Sequence, residues 1–121
     1  SMKRVAVYWN LHKDVYSIQS RETADYGKVI GHAESVAIAL PKFVVRQAGR
    51  QQVLKEQKKN VHAFVVGYLT ENLVFNEEGK RITYNPYKYN SFVIADTKEE
   101  IRDGSAARLS MHEGKPLIEV W

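Results

Sequence analysis

Arg46 and Arg50 stand four residues apart in the run Arg46 to Lys59, RQAGRQQVLKEQKK, which follows the apolar stretch Phe43, Val44, Val45. At about 100° per residue on a helix, both arginines share a side with Val53 and Leu54, while Lys55, Glu56 and Lys59 fall mostly opposite. An unpaired charge on a core-facing side costs on the order of several kcal/mol. Arg50 therefore either pairs with an internal carboxylate or looks into a cleft that takes an anion from outside. One helical turn apart, the two guanidinium groups can address one ligand. Their planar forks match phosphate oxygens bidentately and do not titrate, so the chemistry on offer is permanent recognition of a phosphorylated molecule.

Three further residues invite a similar double reading. Phe75 lies in the polar neighbourhood Glu71-Asn-Leu-Val-Phe-Asn-Glu-Glu. An exposed ring there is a stacking platform for a nucleobase, worth about 1–3 kcal/mol per base, whereas a short strand Leu73-Val-Phe75 would simply pack it in the core. Asn85 before Pro86 is a turn former, and its amide also offers a donor and an acceptor to a ring edge or a ribose hydroxyl. Arg102 precedes Asp103-Gly104, where a cation suits a helix end and is equally placed to reach a ligand.

Enzyme constellations are easier to set aside. The chain has no cysteine, which removes disulfide frameworks, thiolate zinc sites and cysteine nucleophiles. His32-Ala-Glu34 resembles half of a hydrolytic zinc motif without its cysteine ligands. His12, His32, His62 and His112 fall on four separate elements and show no metal-ligand spacing. There is no G-x-S-x-G elbow, P-loop or dinucleotide fingerprint. His62, beside an apolar strand, reads as a satisfied core or interface histidine. Nothing argues for catalysis, a metal or a cofactor.

The elements that must position these residues are mostly strands. Val5–Trp9 and Val15–Gln19 read as strands joined across Asn10–Asp14. Val29–Ala33 and Ser35–Leu40 follow, then the principal helix at about 46–59, which Gly49 weakens by about 1 kcal/mol relative to alanine. Asn60 suits the left-handed position after that helix. Val61–Leu69 is the strongest strand and is expected to be central. Glu71–Arg81 is polar with a turn at Asn76–Gly79, and Tyr84–Asn90 is an aromatic loop before the short strand Phe92–Ala95. Thr97-Lys-Glu-Glu matches a capping box and predicts a short second helix at about 97–103. Arg108–His112 and Leu117–Trp121 form a hairpin across Glu113-Gly-Lys. The fold class is therefore α+β, a mainly antiparallel sheet with one principal and one short helix in a single domain over 2–121. Ser1 before Met2 reads as a residue left by expression cloning.

A chain of 121 residues is long enough to bury a core without staples. No apolar run approaches the roughly 18 residues that cross a bilayer, so no membrane partner is expected. Formal charge of +4 and a pI near 9.3 favour an anionic partner mildly. Acids are interleaved with the bases, which suits a ligand of few phosphates better than a long polyanion. The competing reading is a small basic nucleic-acid-binding module using Lys55, Lys58, Lys59 and the Tyr84–Asn90 aromatics.

The block Phe43-Val-Val-x-x-Ala-Gly-Arg50 with Val53-Leu54, then Lys59-Asn-Val-His-Ala-Phe64, and the opening Tyr8-Trp-Asn-Leu-His-Lys13 together resemble the phage anti-Thoeris sponge family. The resemblance implies a homodimer, open to further assembly, that binds cyclic ADP-ribose isomers made from NAD by TIR proteins. Such a protein holds the signal without degrading it, at sites where two protomers meet, in the cytoplasm of a bacterial host. It implies Arg50, Phe75, Asn85 and Arg102 as ligand residues, with Arg46, Tyr84 and Arg108 as weaker candidates. Two arginines would neutralise the diphosphate, Phe75 would stack the adenine and Asn85 would hold a polar edge. A separate cyclic-oligonucleotide site is also open, with Arg21 and Lys28 in a flexible-looking loop as candidates.

Overall fold

A computed structural model describes every residue except Ser1, Asn72, Val74 and Asn76. Among the described residues there is one helix, α1 (Gln47–Glu56), and nine strands. In chain order the strands are β1 (Lys3–Asn10), β2 (Val15–Ser20), β3 (Val29–Ala33), β4 (Val36–Val45), β5 (Ala63–Leu69), β6 (Lys80–Thr83), β7 (Val93–Ile94), β8 (Ala106–His112) and β9 (Lys115–Val120). They form one sheet in the order β3-β2-β1-β5-β4-β8-β9-β6-β7. Its pairings are antiparallel. The expected mainly antiparallel α+β architecture is what is found, with β5 in the interior of the sheet as its apolar run suggests.

β4 is the hinge of the design. Val36 and Ile38 are buried, as period-two alternation requires, but the buried residues further along are Pro41 and Phe43. A bulge between Ala39 and Lys42 makes that phase change, with Leu40 at φ 50° taking up the extra residue. Proline fits here because a bulge releases it from donating to the ladder. The shift sends Lys42 outward and Phe43 inward.

The predicted second helix at 97–103 does not exist. Thr97 Oγ1 accepts the Glu99 N–H at 3.2 Å, two residues on and not three. Lys98 has φ 65°, which ends any helical turn at its first residue. Instead the segment makes isolated bridges, Val93 with Glu100 and Lys42 with Asp103. Ile94 N–H donates to Glu99 O at 2.8 Å and Ile101 N–H to Phe92 O at 3.1 Å, so it pairs with β7. Phe43 N–H then donates to Arg102 O at 2.9 Å, and Gly104 N–H to Pro41 O at 3.3 Å, so it continues along β4. Backbone bonding thus closes β4, β8, β9, β6 and β7 into a ring through residues 99–104. β5, β1, β2 and β3 extend from β4 as a wing, and Tyr16 on β2 ties the wing to the ring by donating its O–H to Ser110 O at 2.8 Å. One core, including Val7, Tyr16, Ile38, Val65, Phe92 and Leu109, fills the space between them.

Two other boundaries differ from expectation. α1 stops at Glu56 and not near 59, because Gln57 adopts the left-handed conformation (φ 55°) expected of Asn60. Residues 80–83, of which Lys80 and Arg81 read in the sequence as the end of a polar stretch, form β6, whose single buried side chain is Ile82. The loop carrying Arg21 and Lys28 is tied down rather than loose. Lys3 Nζ reaches Asp25 Oδ2 at 2.8 Å, Ser20 Oγ bonds Asp25, and Arg21 Nη1 donates to the Tyr26 hydroxyl at 2.7 Å.

Candidate functional site

α1 begins where β4 ends, with Arg46 N–H donating to His62 O at 2.7 Å. The helix lies so close to the segment before β5 that a Cβ placed on Gly49 would come 2.5 Å from the His62 Cβ. The glycine that lowers helix propensity is thus what lets the helix sit there. His62 is buried and fully used. Its Nδ1 faces Asn60 Oδ1 at 3.0 Å, and its Nε2 meets the Tyr84 hydroxyl at 2.8 Å. The expectation of a satisfied core histidine holds.

Held this way, α1 presents Arg50 to the 84–91 loop. Arg50 Nε donates to two main-chain carbonyls, Pro86 O at 3.1 Å and Tyr89 O at 2.9 Å. Gln47 Nε2 adds a bond to Asn90 O at 2.6 Å. The ion pairs found among the described residues do not include Arg50. Its positive charge is therefore oriented by neutral acceptors but not cancelled. Tyr84 registers that charge: burial raises its phenol above the ordinary range, and the Arg50 guanidinium pulls it back down.

Arg50 lines a cavity of about 390 Å³ with Lys88, Tyr89, Asn90, Ser91, Val93, Lys98 and Glu100. A second cavity of about 760 Å³ is lined by Lys42, Phe43, Val44, Val45, Gln47, Arg102 and Asp103. Asn90, Ser91 and Glu100 line both, so the two form one groove between the 84–91 loop, the start of α1 and the segment 99–104. Arg102 is highly exposed, with Nε donating to Glu100 Oε1 at 2.9 Å. Its place is on the segment paired with β4, and the helix end proposed for it is absent. Among the described residues no group of three or more acidic or histidine side chains could hold a metal.

The remaining candidates lie elsewhere. Asn85 makes the turn its sequence suggests, Oδ1 accepting from Tyr87 N–H at 2.9 Å, and it fixes the loop that caps Arg50. Arg46 sits 4.6 Å from the centre of the Phe64 ring, a cation–π contact on the wing. Phe75 stacks on Trp121 with ring centres 4.1 Å apart, and Arg108 lies 5.2 Å from the Phe75 ring. Arg108 also reaches Glu119 Oε1 from Nη2 at 2.7 Å, across the β8–β9 register. Within one chain, then, Arg50 and Arg102 share a groove that Asn85 supports, while Phe75 and Arg108 form a separate cluster and Phe75 lines neither cavity. Sequence reasoning missed Lys42, Lys88, Asn90, Ser91, Lys98 and Glu100. Lys88 and Asn90 stood in the aromatic loop already singled out, but the main-chain bonds that set this loop against Arg50 leave no signal in the sequence.

The closed set of strands carries a basic groove, and the comparisons place the chain among phage proteins. Residues 1–115 match the family described as Mycobacterium phage L5 gene 82 protein, and the chain belongs to that family. It is 44% identical over 101 residues to the Gene 82 protein of Mycobacterium phage L5, covering 78% of this chain and 80% of that protein. No solved structure matches it. Among the described residues, no helix is long and apolar enough to cross a membrane.

Proposed function

We propose that this phage protein is a non-enzymatic sponge, acting in the host cytoplasm, that sequesters a cyclic ADP-ribose isomer made by a TIR protein and so keeps a Thoeris effector silent. The observation that carries this reading is Arg50: a guanidinium fixed by two carbonyls, unpaired with any described carboxylate, in a groove that also gathers Lys88, Lys98, Lys42 and Arg102. Fixing the fork beforehand lowers the ordering cost of binding a phosphate. The separation of Phe75 from this groove fits the homodimer that the family resemblance implies. In that arrangement each site takes its arginines from one protomer and its stacking ring from the other, and the shallow groove becomes enclosed.

The test is capture and release. Protein incubated with the products of a TIR NADase reaction, repurified and heat-denatured should release an intact cyclic ADP-ribose isomer, identified by mass spectrometry. Recovery of a cleaved product, or of no nucleotide, would sink the sponge reading.

A further inference from the structure

The groove is not uniformly basic, and the way its charge is divided says which part of a ligand lies where. The cavity at the Arg50 end gathers Arg50, Lys88 and Lys98 against one carboxylate, Glu100. The cavity at the Arg102 end sets Lys42 and Arg102 against Glu100 and Asp103, beside the apolar side chains of Phe43, Val44 and Val45. A site meant only for phosphate gains nothing from carboxylates, which repel it. Yet Glu100 lies where the two cavities join. Its bond to Arg102 engages Oε1, and no hydrogen bond to Oε2 is found among the described residues. A carboxylate oxygen at such a seam is an acceptor for neutral donors, and vicinal sugar hydroxyls are donors that its two oxygens can take together.

We infer that Glu100 is a specificity-determining residue that accepts ribose hydroxyls, with ligand phosphates at the Arg50 end and the riboside at the Arg102 end. This rests on the reading of the groove as a nucleotide site. Glu100 rejects small polyanions that bring phosphate without sugar and favours phosphorylated ribosides. Its exposed position on the segment between β7 and β4 lets Glu100→Gln keep the shape and the fold while removing the charge.

The experiment is isothermal titration of wild type and Glu100→Gln with two probes, the cyclic ADP-ribose product of a TIR reaction and inorganic pyrophosphate. The wild type should prefer the nucleotide. In Glu100→Gln that preference should fall by about tenfold or more, because nucleotide binding weakens as a charge-assisted bond is lost while pyrophosphate binding strengthens. Equal shifts for both probes would overturn the inference, showing that Glu100 acts through the general field of the groove or through Arg102 alone. A wild type that binds neither probe would remove the nucleotide-site reading itself, and this inference with it.

Discussion

Two arginines, Arg108 on β8 and Arg50 on α1, meet their surroundings in different ways. Arg108 is answered from within the chain: its Nη2 and Nε reach Glu119 Oε1 at 2.7 and 3.2 Å, and its guanidinium lies over the Phe75 and Trp121 rings. Among the described residues, the hydrogen bonds found for the Arg50 side chain go to main-chain carbonyls. Both are held in place, but only one is neutralised. A carboxylate partner consumes an arginine's charge, whereas carbonyl partners orient it and leave the charge to act. The even choice posed by the sequence, internal ion pair or ligand clamp, falls to neither alternative as first framed. Arg50 is internally bonded to carbonyls, and no ion pair found among the described residues includes it.

The largest expected effect separates these two environments by their ligand role. Arg50→Ala should weaken capture of the TIR-made cyclic ADP-ribose by about a hundredfold or more in calorimetry, since both a charge and the anchor of the 84–91 loop are lost. Phe75→Ala should also lose capture, for lack of the stack. If each site draws Arg50 from one protomer and Phe75 from the other, mixing the two dead variants under exchange conditions rebuilds one intact site in each mixed dimer. About a quarter of wild-type capacity should then return, since random two-fold pairing makes half the dimers mixed. No recovery from a mixture shown by native mass spectrometry to contain mixed dimers would place the two residues outside any shared site.

The next effect tests how firmly Arg50 is held. Gly49→Ala improves helix propensity by about 1 kcal/mol, yet the added methyl meets the His62 Cβ at 2.5 Å. Overpacking of that kind costs about 1–3 kcal/mol, so the melting temperature should fall despite the better helix former. A rise would mean that α1 does not press on His62, and that the Asn60–His62–Tyr84 bonding does not fix the Arg50 corner.

How much of this was legible beforehand follows from what kind of interaction carries each part. The strands with strong apolar periodicity, β1, β2 and β5, are written in side chains and were readable. So was the β8–β9 hairpin, where Glu113 (φ 51°) and Gly114 (φ 76°) supply the paired left-handed residues of a two-residue turn. β6 was not readable, because a strand of Lys-Arg-Ile-Thr with one buried residue shows no pattern. The Thr97 capping box misled because a local motif can satisfy itself in a turn, and the pairing of 99–104 with β7 and β4 outweighed it. In the candidate site, Arg50 and Arg102 were identified as odd, but their surroundings were not. Carbonyls of Pro86 and Tyr89 have no sequence signature, and the Phe75–Trp121 stack joins residues 46 positions apart.

The smallest effect reads the difference between the two arginines directly. Tyr84 lies near Arg50, and burial raises its phenol above the ordinary 10.0 while the guanidinium opposes the rise. A raised folded-state value means that Tyr84 contributes stability that is fully present below about pH 10 and lost as pH rises through the folded value. Replacing Arg50 by Met removes the opposing charge, so the Tyr84 phenolate should appear at still higher pH in an ultraviolet titration, isolated by subtracting the Tyr84→Phe variant. A phosphate seated on Arg50 should move it in the same direction, because it cancels the same charge. Arg108→Met should leave Tyr84 unmoved, since Glu119 already offsets that cation. If Arg50→Met failed to raise the Tyr84 titration, the Arg50 charge would be compensated in the folded protein, and the contrast between an oriented arginine and a neutralised one would collapse.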